Sequence, residues 1–288
     1  MKIIDNIKTI KKQIKRLKKE GKTIGFVPTM GYLHDGHLSL IRQSKKETDI
    51  TVVSIFVNPA QFAPSEDLDK YPRDLKRDCS LLEQEGVDIL FFPDSKEIYP
   101  EGYDTYVFVE NLSKPLCGKT RPTHFRGVTT IVLKLFNIVS PDRAFFGQKD
   151  AQQAIIIKRM ILDLNLDLNL RVLPIVREKD GLAMSSRNKY LKEEERKQAV
   201  GLFKSLTKGK EVFDSGIKDV KTIKEEVLKV FKEFPLLKLD YLEVVDMNSL
   251  KKIDKVEKKA LMAIAAFLGK TRLIDNVILG GDNEDICS

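Results

Sequence analysis

The sequence predicts an α/β protein: a doubly wound parallel-sheet domain followed by a smaller α+β domain. Two observations predict it. Near-continuous β-branched runs, "TIGFVPTMG", "ITVVSIFVNP", "VDILFFP" and "RAFFGQ", alternate with segments of helical spacing, the pattern of strands covered on both faces by crossover helices. Beyond Val176 this alternation gives way to two long helical patterns and then three strand patterns. Right-handed crossovers make the first pattern a Rossmann-like sheet. The expected division is residues 1–176 and residues 177–288.

The elements follow in order. Ile3, Ile7, Ile10, Ile14 and Leu17 repeat in steps of four and three, which predicts an amphipathic helix with Asp5 as its cap and Gly21 just past its end. Its basic face is the solvated side of a packed helix, because the apolar stripe already accounts for the pattern. "HLSLIRQSKKE", Leu68 to Gly86, "VTTIVLKLFNIVSP" and Asp150 to Leu162 read as further helices, and "NLRVLPIV" as a last strand of this domain. "REKDGLAMSSRN" is polar and reads as a linker. Glu193 to Phe213 and Val220 to Phe234 read as helices, and "LDYLEVVD", "ALMAIAAFLG" and "LIDNVIL" as strands. The tail "GGDNEDICS" reads as loose.

Composition narrows the function classes. The 288 residues, 42% of them hydrophobic, suffice for a substantial core. The first residues are charged and periodic and no run approaches the ~20 apolar residues of a membrane span, so a cytoplasmic protein is expected. Cys79, Cys117 and Cys287 are scattered, without a CxxC pair, and predict three free thiols rather than a disulfide framework or structural zinc. A net charge of +8 arises from 50 basic and 42 acidic residues in a dense mixture, not a basic block with interleaved aromatics, so no nucleic-acid partner is expected. Abundant Lys and Glu without Trp suits ion-pair networks at high temperature.

The chemistry gathers at "PTMGYLHDGH", Pro28 to His37, where a strand passes into a helix. The chain has three histidines, and this turn holds two of them, His34 and His37. Spacing of three puts both imidazoles on one face of a starting helix, where both can donate to one phosphate, and Gly36 permits close approach. Only Asp35 is near enough in sequence to act as a third metal ligand, and HExxH is absent. Gly-Lys-Thr occurs at Gly21, Gly118 and Gly269, but the glycine that a P-loop needs five residues earlier is replaced by Arg16, Ser113 and Ile264. No GxGxxG turn occurs either.

Three further clusters end strands or follow them. In "FGQKD", Lys149 could neutralise phosphate and Asp150 could hold a ribose hydroxyl or assist metal binding, with Gln152 and Gln153 opening the next helix; a solvated Lys-Asp turn explains the residues equally well. "MSSRN", Met184 to Asn188, offers two hydroxyls and an arginine as a flexible anion clamp, or a plain polar linker. "VNPAQF" supplies Asn58 and Gln61, amides suited to hydroxyl or carboxylate recognition, although Asn58-Pro59 is also a turn signal.

"PTMGYLHDGH", "VNPAQF", "YPRD", "RPTHFRGV", "FGQKDAQQ" and "AMSSRN", in this order and at these separations, closely resemble the pantoate-β-alanine ligase family, nucleotidyltransferases with a His-x-Gly-His signature. The resemblance covers nearly the whole chain. It implies condensation of (R)-pantoate with β-alanine through a pantoyl adenylate, with ATP cleaved to AMP and pyrophosphate, in pantothenate and coenzyme A biosynthesis. It implies that Met30, Gly31, Tyr32, Leu33, His34, Asp35, Gly36 and His37 form an ATP loop, with His34 and His37 on the phosphates and His37 as proton donor. Gly147, Gln148, Lys149, Asp150, Val176, Met184, Ser185, Ser186 and Arg187 are implied to bind ATP as well, the second domain closing over the nucleotide. Gln61 and Gln153 are implied to bind pantoate, with Gln61 also near β-alanine. Magnesium is implied to arrive with ATP rather than in a dedicated protein site, with no organic cofactor. A homodimer is implied. Thr123 stands where the family commonly has Gly, and Ala63 and Ser65 replace a usual Gly and Asn.

Overall fold

The computed structural model describes residues 1–63 and 68–281. The described residues divide into two compact units, Met1–Gly147 with Ile156–Leu173, and Gln148–Ile155 with the described residues from Pro174 to Gly281. Ser65 lies outside the described residues, as does Cys287; Cys79 and Cys117 are free thiols.

In the first unit β1 (Lys2–Ile4), β2 (Ile24–Thr29), β3 (Ile50–Ile55), β4 (Ile89–Phe91), β5 (Arg143–Gly147) and β6 (Asn169–Leu173) form one sheet in the order β1-β4-β3-β2-β5-β6. Every pair is parallel. The winding runs outward from β2 through β3 to β4, then returns to lay β5 and β6 on the other side of β2. The boundary between β2 and β5 is therefore the switch point, and ligands of such sheets bind beyond its carboxyl edge.

Both faces are covered. Val27, Val53, Leu90 and Phe145 of the sheet pack with Leu38 and Ile41 of α2 (Asp35–Glu47) and Leu82 of α3 (Leu75–Gln84). Phe26, the neighbour of Val27, points the other way and meets Phe136 of the helix His124–Val139 edge-on at 6.5 Å, as strand alternation requires.

Three sequence readings differ from the structure here. The first helix, α1, spans Ile7–Lys19, and its cap is Asn6, whose side chain accepts from Thr9 N at 3.1 Å, not Asp5. Ile3 belongs to β1, a strand of three residues, too short to show a period of two against the helical spacing beside it. The helix expected from Leu68 begins instead at Leu75, capped by Asp74 on Arg77 N at 3.0 Å. Pro72 explains the delay, since inside a helix it would remove a hydrogen bond and clash with the preceding turn.

The second unit packs the helices Glu193–Ala199, Gly201–Asp214 and Val220–Phe231 with an antiparallel sheet of β7 (Leu237–Asp246), β8 (Ala260–Leu268) and β9 (Thr271–Leu279). Its core includes Leu202, Leu206, Ile223, Val227, Met262 and Ile264. The single helix expected from Glu193 to Phe213 is divided at Val200, where Gly201 lies so near Phe234 that an added Cβ would stand 2.5 Å from its ring. The segment read as a linker is a tight hairpin. Arg177 bridges Ala183, Glu178 N donates to Leu182 O at 2.8 Å, and Asn188 Nδ2 donates to Glu178 Oε1 at 2.7 Å. Arg196, in the helix Glu193–Ala199, ties that helix to the hairpin through Glu178 at 2.6 Å and Asp180 at 2.7 Å.

Candidate active site

The turn after β2 is shaped by a residue that no motif pointed to. Gly31 and Tyr32 both have positive φ, 81° and 50°, and for Tyr32 that conformation is unfavourable. The carboxylate of Asp78, buried in α3, offsets it by accepting from Tyr32 N at 2.7 Å and Leu33 N at 2.8 Å. A side chain at Gly31 would press on Asp78 Oδ2 at 3.1 Å and on Ile55. Arg77 lies 3.6 Å from Asp78 and 5.1 Å from the centre of the Tyr32 ring. Burial pushes the Asp78 carboxyl above its ordinary range, against the pull of the two amides and Arg77.

The turn delivers His34 to the N-cap of α2 in extended conformation, and His37 follows one turn on with its ring 4.1 Å from that of His34. The His34 backbone N–H donates to His37 Nδ1 at 3.3 Å. A backbone N–H can only donate, so Nδ1 of His37 carries no proton and the neutral ring keeps its proton on Nε2. The pair thus presents a fixed N–H donor at a helix start, where the partial positive charge of the first turn also favours an anion.

Gln61 sits behind Met30, buried, at the end of a short 3₁₀ turn, Pro59–Gln61, that follows β3. Its Nε2 approaches Met30 Sδ at 3.0 Å, and its Oε1 accepts from Asn58 Nδ2 at 3.0 Å. Asn58 Oδ1 also accepts from Ala60 N at 3.3 Å, so Asn58 serves both as a turn residue and as a support for Gln61. The backbone carbonyl of Gln61 lies 2.9 Å from His124 Nδ1 and accepts from Arg121 at 3.3 Å. Gly127 lets the helix approach this turn, since a Cβ there would stand 2.2 Å from Ala60 O.

The remaining sequence-predicted residues, Gly147 apart, belong to the second unit. Gly147 ends β5 in open space, with nothing within 4 Å of an added Cβ. Gln148–Asp150 form a 3₁₀ turn carrying Lys149, whose Nζ lies 3.7 Å from Asp150. Asn276 of β9 pins this turn, donating from Nδ2 to the carbonyls of Gln148 and Lys149, each at 3.0 Å. Its neighbour Asp275 holds Arg177 at 2.7 and 3.0 Å; burial still pushes the Asp275 carboxyl up against the pull of that guanidinium. The hairpin sets Val176 O opposite Met184 N at 3.0 Å, and Ser185 caps the turn Ser186–Tyr190. Gln153 is half-buried in the first turn of the helix Ala151–Asp163, while Gln152 is buried.

Sequence reasoning missed Asp78, Asn276 and Asp275. Asp78 stands four residues beyond "YPRD", and no spacing rule connects it to a turn some 45 residues earlier. Among the described residues no group of three or more His, Cys, Asp or Glu side chains could hold a metal ion, and no helix is long and apolar enough to cross a membrane.

Comparison with known proteins identifies the family. Residues 2–278 match the family model for pantoate-β-alanine ligase. A pantothenate synthetase of Caldicellulosiruptor bescii is 56% identical over 97% of this chain and 99% of its own, and one of Pseudothermotoga lettingae is 57% identical with the same coverage. The pantothenate synthetase structure of Thermus thermophilus superimposes with a TM-score of 0.92 at 41% identity, covering 96% of this chain and 99% of its own. The pantoate-β-alanine ligase of Francisella tularensis, crystallised with β,γ-ATP and β-alanine, gives 0.80 at 35% identity over 96% and 97% of the two chains.

Proposed function

The chain belongs to the pantoate-β-alanine ligase family, ATP-dependent and AMP-forming, and from that premise we propose how its own residues carry the two-step reaction. The carboxylate of (R)-pantoate attacks the α-phosphate of ATP, and pyrophosphate leaves. The amine of β-alanine then attacks the acyl carbon of the adenylate, and AMP leaves. Adenylation supplies the leaving group that a free carboxylate lacks.

The observation that carries the assignment is the locked ring of His37. With Nδ1 occupied by the His34 amide, Nε2–H is a donor whose orientation costs nothing at the moment charge develops on the phosphates. His34 and the ATP loop Met30–His37 support the same anion. Lys149 is assigned to the phosphates, Asp150 to the ribose, and Gly147, Gln148, Val176 and Met184 to Arg187 to the remainder of the nucleotide. Gln61 and Gln153 are assigned to pantoate, with Gln61 also next to β-alanine. Residues 1–176 would then bind ATP and pantoate, and residues 177–288 would serve the nucleotide. Magnesium enters as part of the MgATP substrate. A homodimer in the cytoplasm completes the reading, and sedimentation at the mass of one chain would count against the dimer.

Incubation with ATP, pantoate and β-alanine should yield AMP and pyrophosphate in equal amounts with the amide product. ADP and phosphate as products would sink the adenylate route.

A further inference from the structure

Behind Gln61 runs a chain of hydrogen bonds to which the reaction above assigns no part. Tyr99 Oη donates to Asn58 Oδ1 at 2.8 Å; Asn58 Nδ2 donates to Gln61 Oε1 at 3.0 Å and to the Gly127 carbonyl at 3.1 Å. Two backbone groups fix the direction of this chain. Ala60 N–H, which can only donate, faces Asn58 Oδ1, and the Gly127 carbonyl, which can only accept, faces Nδ2. A flip of Asn58 would set donor against donor and acceptor against acceptor. Gln61 is therefore held with its oxygen turned inward and its NH₂ turned toward the Met30 sulfur, a weak acceptor that a substrate oxygen outcompetes.

We infer that Tyr99 is a positioning residue for the acid substrate: through Asn58 it keeps Gln61 presenting N–H donors to an oxygen of pantoate. The inference rests on the assignment of Gln61 to pantoate. The Tyr99 ring is itself fixed, edge-on to Tyr103 at 5.0 Å and tilted against Phe56 at 6.2 Å, with the Lys134 ammonium 5.6 Å from its centre. Burial, with a smaller push from Tyr103 and Tyr106, pushes the Tyr99 phenol well above its ordinary value, so its hydroxyl keeps the proton it donates to Asn58. Without it, Asn58 Oδ1 retains only the longer bond from Ala60.

The test is steady-state kinetics of the full-length enzyme with ATP, pantoate and β-alanine. Loss of one neutral hydrogen bond predicts that Tyr99→Phe raises the KM for pantoate roughly 3- to 10-fold, with the KM for ATP and the melting temperature close to wild type. Gln61→Ala should raise the pantoate KM further, and adding Tyr99→Phe to it should do nothing more, because the relay then has nothing to orient. If Gln61→Ala leaves the pantoate KM unchanged, the assignment of Gln61 falls and this inference with it. If Gln61→Ala has its effect but Tyr99→Phe adds independently to it, or raises the ATP KM equally, only the role of Tyr99 is overturned. Should Tyr99→Phe not fold, Asn58→Ser cuts the relay one link later while keeping an oxygen for Ala60 N–H. It must then show the same pantoate-specific loss, and a wild-type pantoate KM would refute the relay.

Discussion

Behind the His34–His37 turn stands a buried carboxylate, Asp78, accepting from two backbone amides at 2.7 and 2.8 Å, whereas behind the Lys149 turn stands a neutral amide, Asn276, donating to two backbone carbonyls at 3.0 Å. The two supports have opposite polarity because the two turns offer opposite backbone groups. After β2 the positive φ of Gly31 and Tyr32 turns the Tyr32 and Leu33 amides toward α3, ahead of the helix start, and an acceptor must satisfy them. After β5 the carbonyls of Gln148 and Lys149 face inward, and a donor must satisfy them. A carboxylate is the stronger staple for amides, yet its strength depends on ionisation; an amide is weaker and indifferent to pH. Each turn thus carries a cationic or N–H donor group on a backbone immobilised from behind, the arrangement that lowers reorganisation in a transition state.

The largest effect should come from removing what the turns present. His37→Ala and Lys149→Ala should each slow formation of the pantoyl adenylate on the order of 100- to 1,000-fold, or ~3 kcal/mol, because negative charge grows on the phosphates in that step. The reaction of the adenylate with β-alanine should suffer less, since pyrophosphate has gone. Single-turnover rates of the two half-reactions decide it. Equal losses in both steps would remove the assigned roles and make the two turns equivalent only as scaffolding.

Removing the supports rather than the presented groups should cost less and separate the two turns. Asp78→Asn keeps one acceptor oxygen but sets an NH₂ against the second backbone amide, so the loop must shift; displacement of about an ångström costs on the order of 100-fold at most in adenylation. Asn276→Ala leaves the Gln148 carbonyl, buried, and the Lys149 carbonyl, part-buried, without their donor and should lower stability by about 1–3 kcal/mol, read by denaturant unfolding. Its adenylation rate should fall no more than about tenfold, because loss of the side chain adds no repulsion to the turn. Asp78→Asn with wild-type adenylation would show that the carboxylate is not needed to shape the turn that carries His34 and His37.

Much of this was legible in the sequence. Alternating β-branched runs pointed to the parallel sheet because strands buried on both faces leave a continuous apolar signal, and the histidine pair stood out because its spacing matches a helix turn. β1 was hidden because its three residues lie beside a helical spacing that absorbs Ile3. The helix expected at Leu68 ignored Pro72, and the supposed linker from Arg177 is ordered by backbone pairing and by Glu178, Asp180 and Arg196, which no local pattern reveals. Asp78 and Asn276 share the deeper reason. Each acts on the backbone of a distant turn, and a contact to backbone leaves no complementary residue type in the sequence to betray it.

The smallest effect concerns pH and bears only on the charged support. Burial raises the Asp78 carboxyl above its ordinary 3.8, so in a window just above that value the folded chain holds a proton that the unfolded chain has lost. Where the folded state binds more protons, stability falls as pH rises. The contribution of Asp78 is therefore fully present below its unfolded pKa and is lost as pH rises through the folded one. Relative to Asp78→Asn, the wild type should gain melting temperature as pH is lowered toward the ordinary carboxylate range, and the gain should fade as pH rises through the raised folded value. The same comparison against Asn276→Ala should show no trend of its own, because that substitution removes no titrating group and leaves the Asn276 N–H that binds Asp275 in place. Melting curves of the three proteins across this range provide the measurement. A difference between wild type and Asp78→Asn that stays constant, or that grows as pH rises, would mean that the amides and Arg77 outweigh burial at Asp78, and the two supports would then differ in polarity but not in their response to acid.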